Sequence, residues 1–542
     1  MAAFLERRSR AVAVAAVLLA SLRIVSTYTV FNHTSDEPAH LACGMEWLDR
    51  GTYQYESQHP PLARAAAAIG PYLLGIRSQG TKNEDPLSMT VEGAAILYRD
   101  HHYNLTLAMA RLGIMPFFWI ACLVTWWWAM RYFGPAAAAV AVVLFSFLPT
   151  VLAHAGLATT DMALTAFLGA AFLSGAVWLE HPSPARGLLF GACTALAILS
   201  KFSALVFFPA SAGLALVGYL AMERPPLRAL AVDIRKRIPS LALAVLAACL
   251  LVWAGYRFSY GELDFAPLRV PAPELFNGIK MVMNHNAEGH YAYLLGQRSK
   301  FGWWYYYPVV LAVKTPLAFL ALLVFGVARA WRDRRAWPPL AFSAGILLVG
   351  LFSHINIGVR HVLPIYVGSS LLAAIAVLWL LDLGESRKWS GIALALLLLW
   401  LAASSLAIHP DYIAYFNELA GGQPEKILVD SDLDWGQDMN RLGARLRQVG
   451  APFVTFTPFV YADLVREHGF PPVRLSDVPI PSPGWNAVSL TEWKERRLRL
   501  FETHPEVTPW PELVPPGERV GKGIMLWYFT PRPPSPGQAP TR

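Results

Sequence analysis

The chain has 542 residues, of which 55% are hydrophobic and 15% charged, against about 25% charged residues in an ordinary soluble domain. This composition excludes a simple soluble enzyme. The formal net charge of +8 does not indicate nucleic-acid binding, because the basic residues cluster in short loops between apolar stretches and form no continuous stripe.

About eleven apolar stretches follow one another along the chain, each close to the roughly 20 residues that cross a bilayer as a helix. The first is predicted to be a span and not a cleavable signal, because it carries Arg23 and ends without a small-residue cleavage site. A polytopic α-helical membrane protein is therefore predicted. The predicted spans are 11–31, 105–130, 135–153, 160–179, 187–200, 202–221, 238–258, 303–327, 338–353, 361–381 and 390–408.

Basic residues mark one side of the predicted membrane. Three arginines precede the first span, and the loops at 224–237 and 329–335 carry many of the remaining cations. The positive-inside rule makes this side cytoplasmic, so an odd number of spans in the inner membrane leaves the C-terminal region outside. The predicted external segments are about 32–104, about 259–302 and everything after about 409.

The C-terminal region differs in pattern from the rest of the chain. The sequence KILVDSD, a stretch of helical periodicity at 437–448 and the sequence PFVTFTPFV together predict a β-α-β unit. We therefore predict a transmembrane domain at 1–408 and a small external α/β domain at 409–530. The proline-rich segment 531–542 is predicted to be disordered.

Ionisable residues at the predicted outer ends of the spans are the main functional signal, because such groups are costly near a membrane. Asp36 and Glu37 directly follow the first span, and Asp161 begins the fourth. Four further basic residues approach the same face from other positions: Arg111, Lys201, Arg360 and His361. This layer suits a substrate whose charged head lies at the membrane surface while its tail stays in lipid.

A lipid phosphate-linked sugar would use both charge types. The departing phosphate oxygen gains negative charge in the transition state, which Arg, Lys or a protonated His stabilises. An acceptor hydroxyl is a poor nucleophile and needs a carboxylate within hydrogen-bond reach to take its proton. One aspartate and a cationic phosphate clamp would therefore suffice for sugar transfer.

Seven short motifs, in order over roughly residues 5 to 440, resemble the GT-C type membrane glycosyltransferases. The resemblance is to glycosyltransferase family 39, which includes protein O-mannosyltransferases, and to the related lipid A aminoarabinose transferase. SDLDWGQD at 431–438 also looks like a segment of bacterial relatives, with no role attached to it. The seven motifs are SDEPAH at 35–40, QHPPLAR at 58–64, ATTDMAL at 158–164, LSKFSAL at 199–205, GHYAYLLG at 289–296, VKTPL at 313–317 and NIGVRHVLPIY at 356–366.

The resemblance implies a GT-C fold, a polyprenyl-phosphate sugar donor and an inverting reaction with Asp36 as general base. The acceptor stays open among protein, lipid and glycan, because the C-terminal domain does not look like the MIR repeats of eukaryotic protein O-mannosyltransferases. The implied site residues are Asp36 and Glu37 for catalysis, Lys201, Arg360 and His361 for the donor phosphate, and Asp161, His59 and His40 for substrate binding or support.

Structural alternatives stand beside these roles. Asp36 and Asp161 could cap helices, Lys201 could pair with an internal anion, and Arg360 could anchor at the interface by snorkelling. Arg23, Arg111 and Lys314 are expected to form internal pairs or to bind backbone carbonyls, and the segment 284–290 is expected to be a polar loop over the site.

Three further alternatives concern a metal, the function and the C-terminal domain. Mg²⁺ or Mn²⁺ is compatible with the carboxylates, although lysine and arginine could neutralise the phosphate without a metal. A transporter or flippase for an anionic lipid-linked sugar is the alternative function, but the chain shows no convincing internal repeat. A scaffold that assembles through the C-terminal domain would leave Asp36 and Arg360 unexplained.

Overall fold

The structure, a computed structural model, describes residues 2–330, 333–460, 462–476, 480–504 and 506–530. The proline-rich segment 531–542 lies outside the described residues. The chain divides into two compact units. Unit 1 comprises the residues up to Thr29 together with Asp36–Ala292 and Ser299–Gly422, and unit 2 comprises Val30–Ser35, Tyr293–Arg298 and the chain from Gln423 onward.

Unit 1 is almost entirely helical, apart from a β-hairpin formed by β1 (Tyr260–Leu263) and β2 (Ala266–Pro271). Its helices are α1 (Ala2–Val25), α2 (Glu37–Met45), α3 (Pro61–Leu73), α4 (Ser88–Leu97), α5 (Tyr103–Leu112), α6 (Met115–Phe133), α7 (Pro135–Ser146), α8 (Pro149–Ala155), α9 (Asp161–Glu180), α10 (Pro184–Ser200), α11 (Ala204–Glu223), α12 (Leu227–Gly255), α13 (Pro273–Glu288), α14 (Tyr306–Lys314), α15 (Leu317–Ala330), α16 (Trp337–Phe352), α17 (Ile365–Ser386) and α18 (Lys388–Ala407).

Among the described residues, seven helical segments are long and apolar enough to cross a membrane, or up to nine if each of two bent helix pairs forms one span. The protein is therefore a multi-pass membrane protein, as predicted, but the predicted count of about eleven spans is not confirmed. The two predicted spans that are missing from this count correspond to α1 and α10. α1 carries arginines at both ends, including Arg10 and Arg23, and α10 has only 17 residues.

Proline explains the sharpest break in these helices. α14 and α15 are bent by 116° relative to each other, at the VKTPL motif. Pro316 has no N–H to donate and disfavours helical geometry in the residue before it, and Thr315 is accordingly extended, with φ −108° and ψ 133°. α7 and α8 form the second bent pair, at 69°, with Pro149 at the start of α8.

Two buried cations bind internal groups, as predicted. Arg23 donates to the Ser405 hydroxyl over 3.0 Å, and the Lys314 ammonium donates to the Ile413 carbonyl over 2.7 Å. Each charge is thus engaged within the helical unit, because a cation buried near lipid is stable only with polar partners.

Close backbone contacts fix α2, the helix that follows Asp36. A side chain on Gly44 would place its Cβ 1.9 Å from the Arg64 carbonyl oxygen of α3, and one on Gly93 of α4 would come equally close to the Pro38 carbonyl, at 1.9 Å. Only glycine permits these approaches. α3 begins at Pro61, where proline suits the first turn of a helix, so the QHPPLAR motif at 58–64 leads directly into this packed group.

Unit 2 contains a five-stranded sheet with the order β6-β5-β7-β9-β8, in which β5 runs parallel to β6 and β7 and the remaining pairs are antiparallel. Met439, Leu442 and Leu446 pack the helix that precedes β5 against the sheet. The elements, after the short strands β3 (Ala292–Leu294) and β4 (Gln297–Ser299), are α19 (Met439–Gln448), β5 (Val454–Thr457), β6 (Val473–Leu475), β7 (Gly484–Ser489), α20 (Leu490–Thr503), β8 (Glu518–Val520) and β9 (Ile524–Phe529).

The predicted small α/β domain is present in unit 2, but one predicted strand is not. KILVDSD forms 3₁₀ turns at Pro424–Lys426 and Asp430–Asp432 in place of a strand. Asp430 has a positive φ of 54°, which is incompatible with a strand, and its N–H bonds the Thr491 hydroxyl over 2.8 Å. A turn conformation and a hydrogen bond to the first turn of α20 thus replace the strand predicted from the apolar run.

Candidate active site

Asp36 lies at the entrance to α2, where its backbone carbonyl accepts a hydrogen bond from the His40 N–H over 3.1 Å. Its side chain makes no capping hydrogen bond within the described chain. Instead, Oδ2 accepts a hydrogen bond from Arg360 Nη1 over 2.7 Å, and 34% of the Asp36 side chain is exposed. Asp36 therefore combines a cationic neighbour with an accessible carboxylate.

Glu37 is held in a different way from Asp36. Arg111 donates to both of its carboxylate oxygens over 2.8 Å each, and the Ala158 N–H donates to Oε1 over 2.9 Å. Both side chains of this ion pair are 1% exposed. The internal pair predicted for Arg111 is confirmed, and the geometry makes Glu37 a positioning residue that ties the start of α2 to α5.

Asp161 and Lys201 form the second ion pair of the site. Lys201 Nζ donates to Asp161 Oδ1 over 2.6 Å, and both side chains are buried. Lys201 has extended geometry between α10 and α11, and Asp161 is the first residue of α9, so the pair joins two helix junctions. Asp161 Oδ2 is buried and has no hydrogen-bond partner among the described residues.

Arg360 and His361 lie on a 3₁₀ turn, Val359–Val362, between α16 and α17. Arg360 is only 9% exposed and bonds the Ile357 carbonyl over 3.2 Å, so it does not snorkel to the interface. The His361 ring packs on Tyr307 with a centroid separation of 5.7 Å. Burial, and then the Lys201 charge, lower the pKa of His361 to about 3. If His361 binds the donor phosphate, as predicted, it therefore does so as a neutral ring.

His40 and His59 belong to a network that the sequence did not predict. Arg64 donates to His40 Nδ1 over 3.0 Å and pairs with the Glu56 carboxylate, whose Oε2 lies 3.3 Å from His59 Nδ1. Burial lowers the pKa of both histidines. Sequence reasoning missed Arg64 and Glu56, although Arg64 ends the QHPPLAR motif, one helical turn after its prolines.

Electrostatic interactions join these groups into one cluster. Asp161 interacts with Arg360 as well as Lys201, and His361 interacts with all three. His40 lies within the field of Asp161, and His59 within that of Lys201. The structure thus gathers the predicted site residues of unit 1 around two ion pairs, Asp36–Arg360 and Asp161–Lys201, with Glu37 held beside them by Arg111.

His154 also belongs to this cluster and was missed. It lies on α8, is 2% exposed, and interacts electrostatically with Asp161 and Arg360. Its sequence signal was a single histidine within an apolar run, next to the break that separates α7 from α8.

The segment 284–290 is polar, as predicted, but most of it is not the predicted loop, because residues 284–288 belong to the end of α13. Gln58 bonds His285 Nδ1 over 2.9 Å, and His285 Nε2 lies 3.0 Å from His290 Nδ1. His290 interacts electrostatically with Asp36 and Arg360, and burial lowers its pKa to about 4. Within the described ranges, no group of three or more His, Cys, Asp or Glu side chains is arranged to hold a metal ion.

The SDLDWGQD segment has a structural role in unit 2. Asp434 accepts hydrogen bonds from the Ser489 hydroxyl and from the Thr491 N–H, the latter over 3.1 Å, and burial raises its pKa to about 6. Asp438 accepts from the N–H groups of Lys522 and Gly523 over 2.8 and 2.9 Å. Asn32 is also bound here, since it donates to the Gly436 carbonyl over 2.6 Å and accepts from the Met439 N–H over 2.7 Å. We call this group, residues 434–439 with their partners, the acidic knot.

Solved structures show what the fold resembles. ArnT from Cupriavidus metallidurans bound to undecaprenyl phosphate matches with a TM-score of 0.52 at 15% identity, covering 95% of this chain and 97% of that one. The chain has an ArnT-like fold. Apo ArnT from the same organism matches with a TM-score of 0.51 at 14% identity and the same coverage of 95% and 97%.

Other comparisons cover less of the molecule. Residues 106–256, less than half of the chain, match the family described as dolichyl-phosphate-mannose-protein mannosyltransferase. The oligosaccharyltransferase of Archaeoglobus fulgidus, tethered to an acceptor peptide, matches with a TM-score of 0.43 at 13% identity, covering 90% of this chain and 72% of that one. No curated protein matches. The match of residues 106–256 and the ArnT-like fold confirm the resemblance to GT-C type membrane glycosyltransferases that the sequence motifs indicate.

Proposed function

We propose that this protein is a membrane glycosyltransferase that moves a sugar from a polyprenyl-phosphate-linked donor to an acceptor hydroxyl, with Asp36 as general base. The ArnT-like fold supports the donor class, because the matched ArnT is bound to undecaprenyl phosphate. One observation carries the choice of base. Among Asp36, Glu37 and Asp161, Asp36 alone has a substantially exposed carboxylate, at 34% against 1% for the other two.

Accessibility decides between the carboxylates because a general base must reach the proton that it removes. An acceptor hydroxyl can approach Asp36 from solvent. Both oxygens of Glu37 are occupied by Arg111, and Asp161 is enclosed with Lys201. Glu37 therefore supports Asp36 by holding α2 in place.

The donor phosphate is assigned to Arg360 and Lys201. Each cation is bound to an aspartate, so a phosphate could join or replace a carboxylate on either one. Fixed positive groups next to the departing oxygen stabilise charge that grows in the transition state, and in a site shielded from water they do so strongly. Neutral His361 would add a hydrogen bond, and no step in this scheme requires a metal.

The reaction balances with these groups alone. Asp36 removes the hydroxyl proton as the acceptor oxygen bonds to the anomeric carbon. The bond between that carbon and the phosphate oxygen breaks, and the electron pair leaves with polyprenyl phosphate beside Arg360 and Lys201. Attack opposite the leaving group inverts the anomeric configuration. The products are the glycosylated acceptor, polyprenyl phosphate and a proton that Asp36 returns to solvent.

The remaining sequence predictions complete the proposal. We assign the transferase to residues 1–408, with the N-terminus in the cytoplasm and the reaction at the outer face of the inner membrane. Residues 409–530 form an external domain in this scheme, and the acceptor is a protein, a lipid or a glycan.

Transfer by the purified protein tests the proposal. The protein is incubated with a panel of polyprenyl-phosphate hexoses and pentoses, with and without a chelator, and the release of polyprenyl phosphate and the glycosylated product are followed by mass. Asp36→Asn is expected to abolish transfer. Asp49→Asn is the matched control, because Asp49 is also partly exposed and paired with an arginine, Arg77, but over 3.7 Å and without a link to the cluster.

Two outcomes would contradict the proposal. Wild-type protein that releases polyprenyl phosphate from no donor in the panel would exclude the transferase. Asp36→Asn protein that transfers at the rate of the Asp49→Asn control would exclude Asp36 as the base.

A further inference from the structure

Four polar atoms around the Asp161–Lys201 ion pair are buried without a hydrogen-bond partner among the described residues. They are Thr159 Oγ1, Asp161 Oδ2, Ser203 Oγ and His361 Nδ1. Buried polar atoms in folded proteins are nearly always satisfied, so each exception calls for a physical explanation. Four exceptions at one ion pair indicate a polar group that occupies this place when the protein works.

Short links connect the four residues to the Asp161–Lys201 ion pair. The 2.6 Å bond between Lys201 and Asp161 joins the junction before α9 to the junction before α11. Thr159 lies two residues before Asp161, and Ser203 lies two residues after Lys201. The backbone of Ser203 accepts from the Phe207 N–H one turn along α11, and the Phe207 ring contacts the His361 ring at a centroid separation of 5.7 Å.

We infer that Thr159, Asp161, Ser203 and His361 form the subsite for the hydroxyl groups of the donor sugar, an inference that rests on the proposed function. A sugar hydroxyl both donates and accepts, so it matches a set that contains an acceptor carboxylate oxygen, two hydroxyls and a ring nitrogen. Asp161 would then use both of its oxygens. Oδ1 stays bonded to Lys201, which holds the phosphate, and Oδ2 accepts a hydrogen bond from a sugar hydroxyl.

The charges of the four groups favour binding of the sugar over binding of the phosphate at this place. Asp161 Oδ2 can accept a hydrogen bond from a sugar hydroxyl but not from the phosphate of the donor, which has no proton to donate, and the two hydroxyls carry no charge. His361 is neutral as well, because burial and Lys201 lower its pKa. Lys201 holds the phosphate in the proposed reaction, and the sugar is bonded directly to that phosphate. The part of the donor that lies beside the four groups around Lys201 is therefore the sugar.

Two substitutions that remove a hydroxyl without changing charge test this subsite: Ser203→Ala and Thr159→Val. The affinity for the sugar-bearing donor is measured as KM in transfer, and the affinity for sugar-free polyprenyl phosphate as its inhibition constant. The loss of one hydrogen bond to a neutral partner is expected to raise donor KM about 3- to 10-fold per variant. The inhibition constant of polyprenyl phosphate should not change, because that molecule lacks the sugar.

Ser370→Ala is the matched control. The Ser370 hydroxyl is also buried without a partner in the described part of the chain, but it lies on α17. This variant should leave both constants unchanged. A general loss of packing would instead weaken the sugar donor and polyprenyl phosphate together.

The outcomes separate this inference from the proposed function. Active wild-type protein, combined with Ser203→Ala and Thr159→Val variants whose donor KM and inhibition constants are unchanged, would overturn the sugar subsite alone. Equal changes in both constants would also overturn it. Wild-type protein that transfers no sugar would overturn the proposed function and this inference with it.

Discussion

Two groups of aspartates in the described part of the chain are held in opposite ways. In the acidic knot of unit 2, Asp434 and Asp438 accept hydrogen bonds mainly from backbone N–H groups, at 2.8 to 3.2 Å. In unit 1, Asp36 and Asp161 are bound by the side chains of Arg360 and Lys201. Asp161 keeps one buried oxygen without a partner among the described residues, and Asp36 keeps an exposed carboxylate.

Under the proposed function, this difference separates a structural carboxylate from a functional one. A backbone N–H is fixed by the fold and cannot be exchanged for a ligand without unfolding a loop. An arginine or lysine side chain can move from a carboxylate to a phosphate while the fold stays intact. Asp36 and the aspartates of the acidic knot come from motifs that look alike in sequence, SDEPAH and SDLDWGQD, so only their partners distinguish them.

The largest expected effect concerns Glu37. This residue lies beside Asp36, but its carboxylate is fixed by Arg111. Glu37→Gln removes the carboxylate that pairs with the buried Arg111, and breaking one partner of a buried pair costs about 3–5 kcal/mol. We expect a large fall in melting temperature, measured by tryptophan fluorescence in detergent. Asp36→Asn, at an exposed carboxylate, should shift the melting temperature little. Equal shifts for the two variants would remove the distinction between them.

Arg360→Gln should affect catalysis more than stability. The loss of one fixed donor to the developing charge costs about 10²–10³ in rate. We expect a reduction of this size in kcat/KM for sugar transfer, with folding retained. Arg77→Gln is the control, because Arg77 pairs with Asp49 outside the cluster. An Arg360→Gln enzyme within twofold of this control would show that Arg360 does not act on the phosphate.

The sequence predicts more of the fold and of the candidate site residues than of the contacts between those residues. Apolar runs predict the membrane helices, and short motifs identify Asp36 and Arg360. Their hydrogen bond joins residues 324 positions apart, which no local pattern contains. KILVDSD fails as a predicted strand because Asp430 has a positive φ and its N–H bonds Thr491 of α20, 61 positions away. His154 was missed because a lone histidine in an apolar helix gives no indication of its neighbours.

The acidic knot should give a measurable dependence of stability on pH. Burial raises the folded-state pKa of Asp434 from 3.8 to about 6, so the folded state holds its proton more tightly than the unfolded state. The contribution of Asp434 to stability is then fully present below about pH 4 and is lost as the pH rises to about 6, by about 3 kcal/mol at roughly 1.4 kcal/mol per unit.

Asp434→Asn removes this titration. The hydrogen bonds that asparagine cannot accept lower stability equally at every pH, so the difference in melting temperature between the wild type and Asp434→Asn isolates the proton. This difference should change between pH 4 and pH 6. A difference that stays constant over that range would mean that Asp434 is ionised in the fold throughout.

The smallest expected effect is a null result at His361. Because its pKa is lowered to about 3, the ring stays neutral through the whole range from about pH 5 to pH 8. The ratio of kcat/KM between the wild type and His361→Gln should therefore be constant over that range. A change in this ratio centred near pH 6.5 would show instead that His361 binds the donor as a cation.

The role of Asp36 is tested most directly by a single-turnover experiment with donor already bound. General-base catalysis contributes about 10²–10⁴ in rate, so Asp36→Asn should slow the release of polyprenyl phosphate by that factor while its donor affinity stays close to that of Asp49→Asn. A release rate equal to that of the Asp49→Asn protein, with acceptor glycosylated in both, would contradict the assignment of Asp36 as the base.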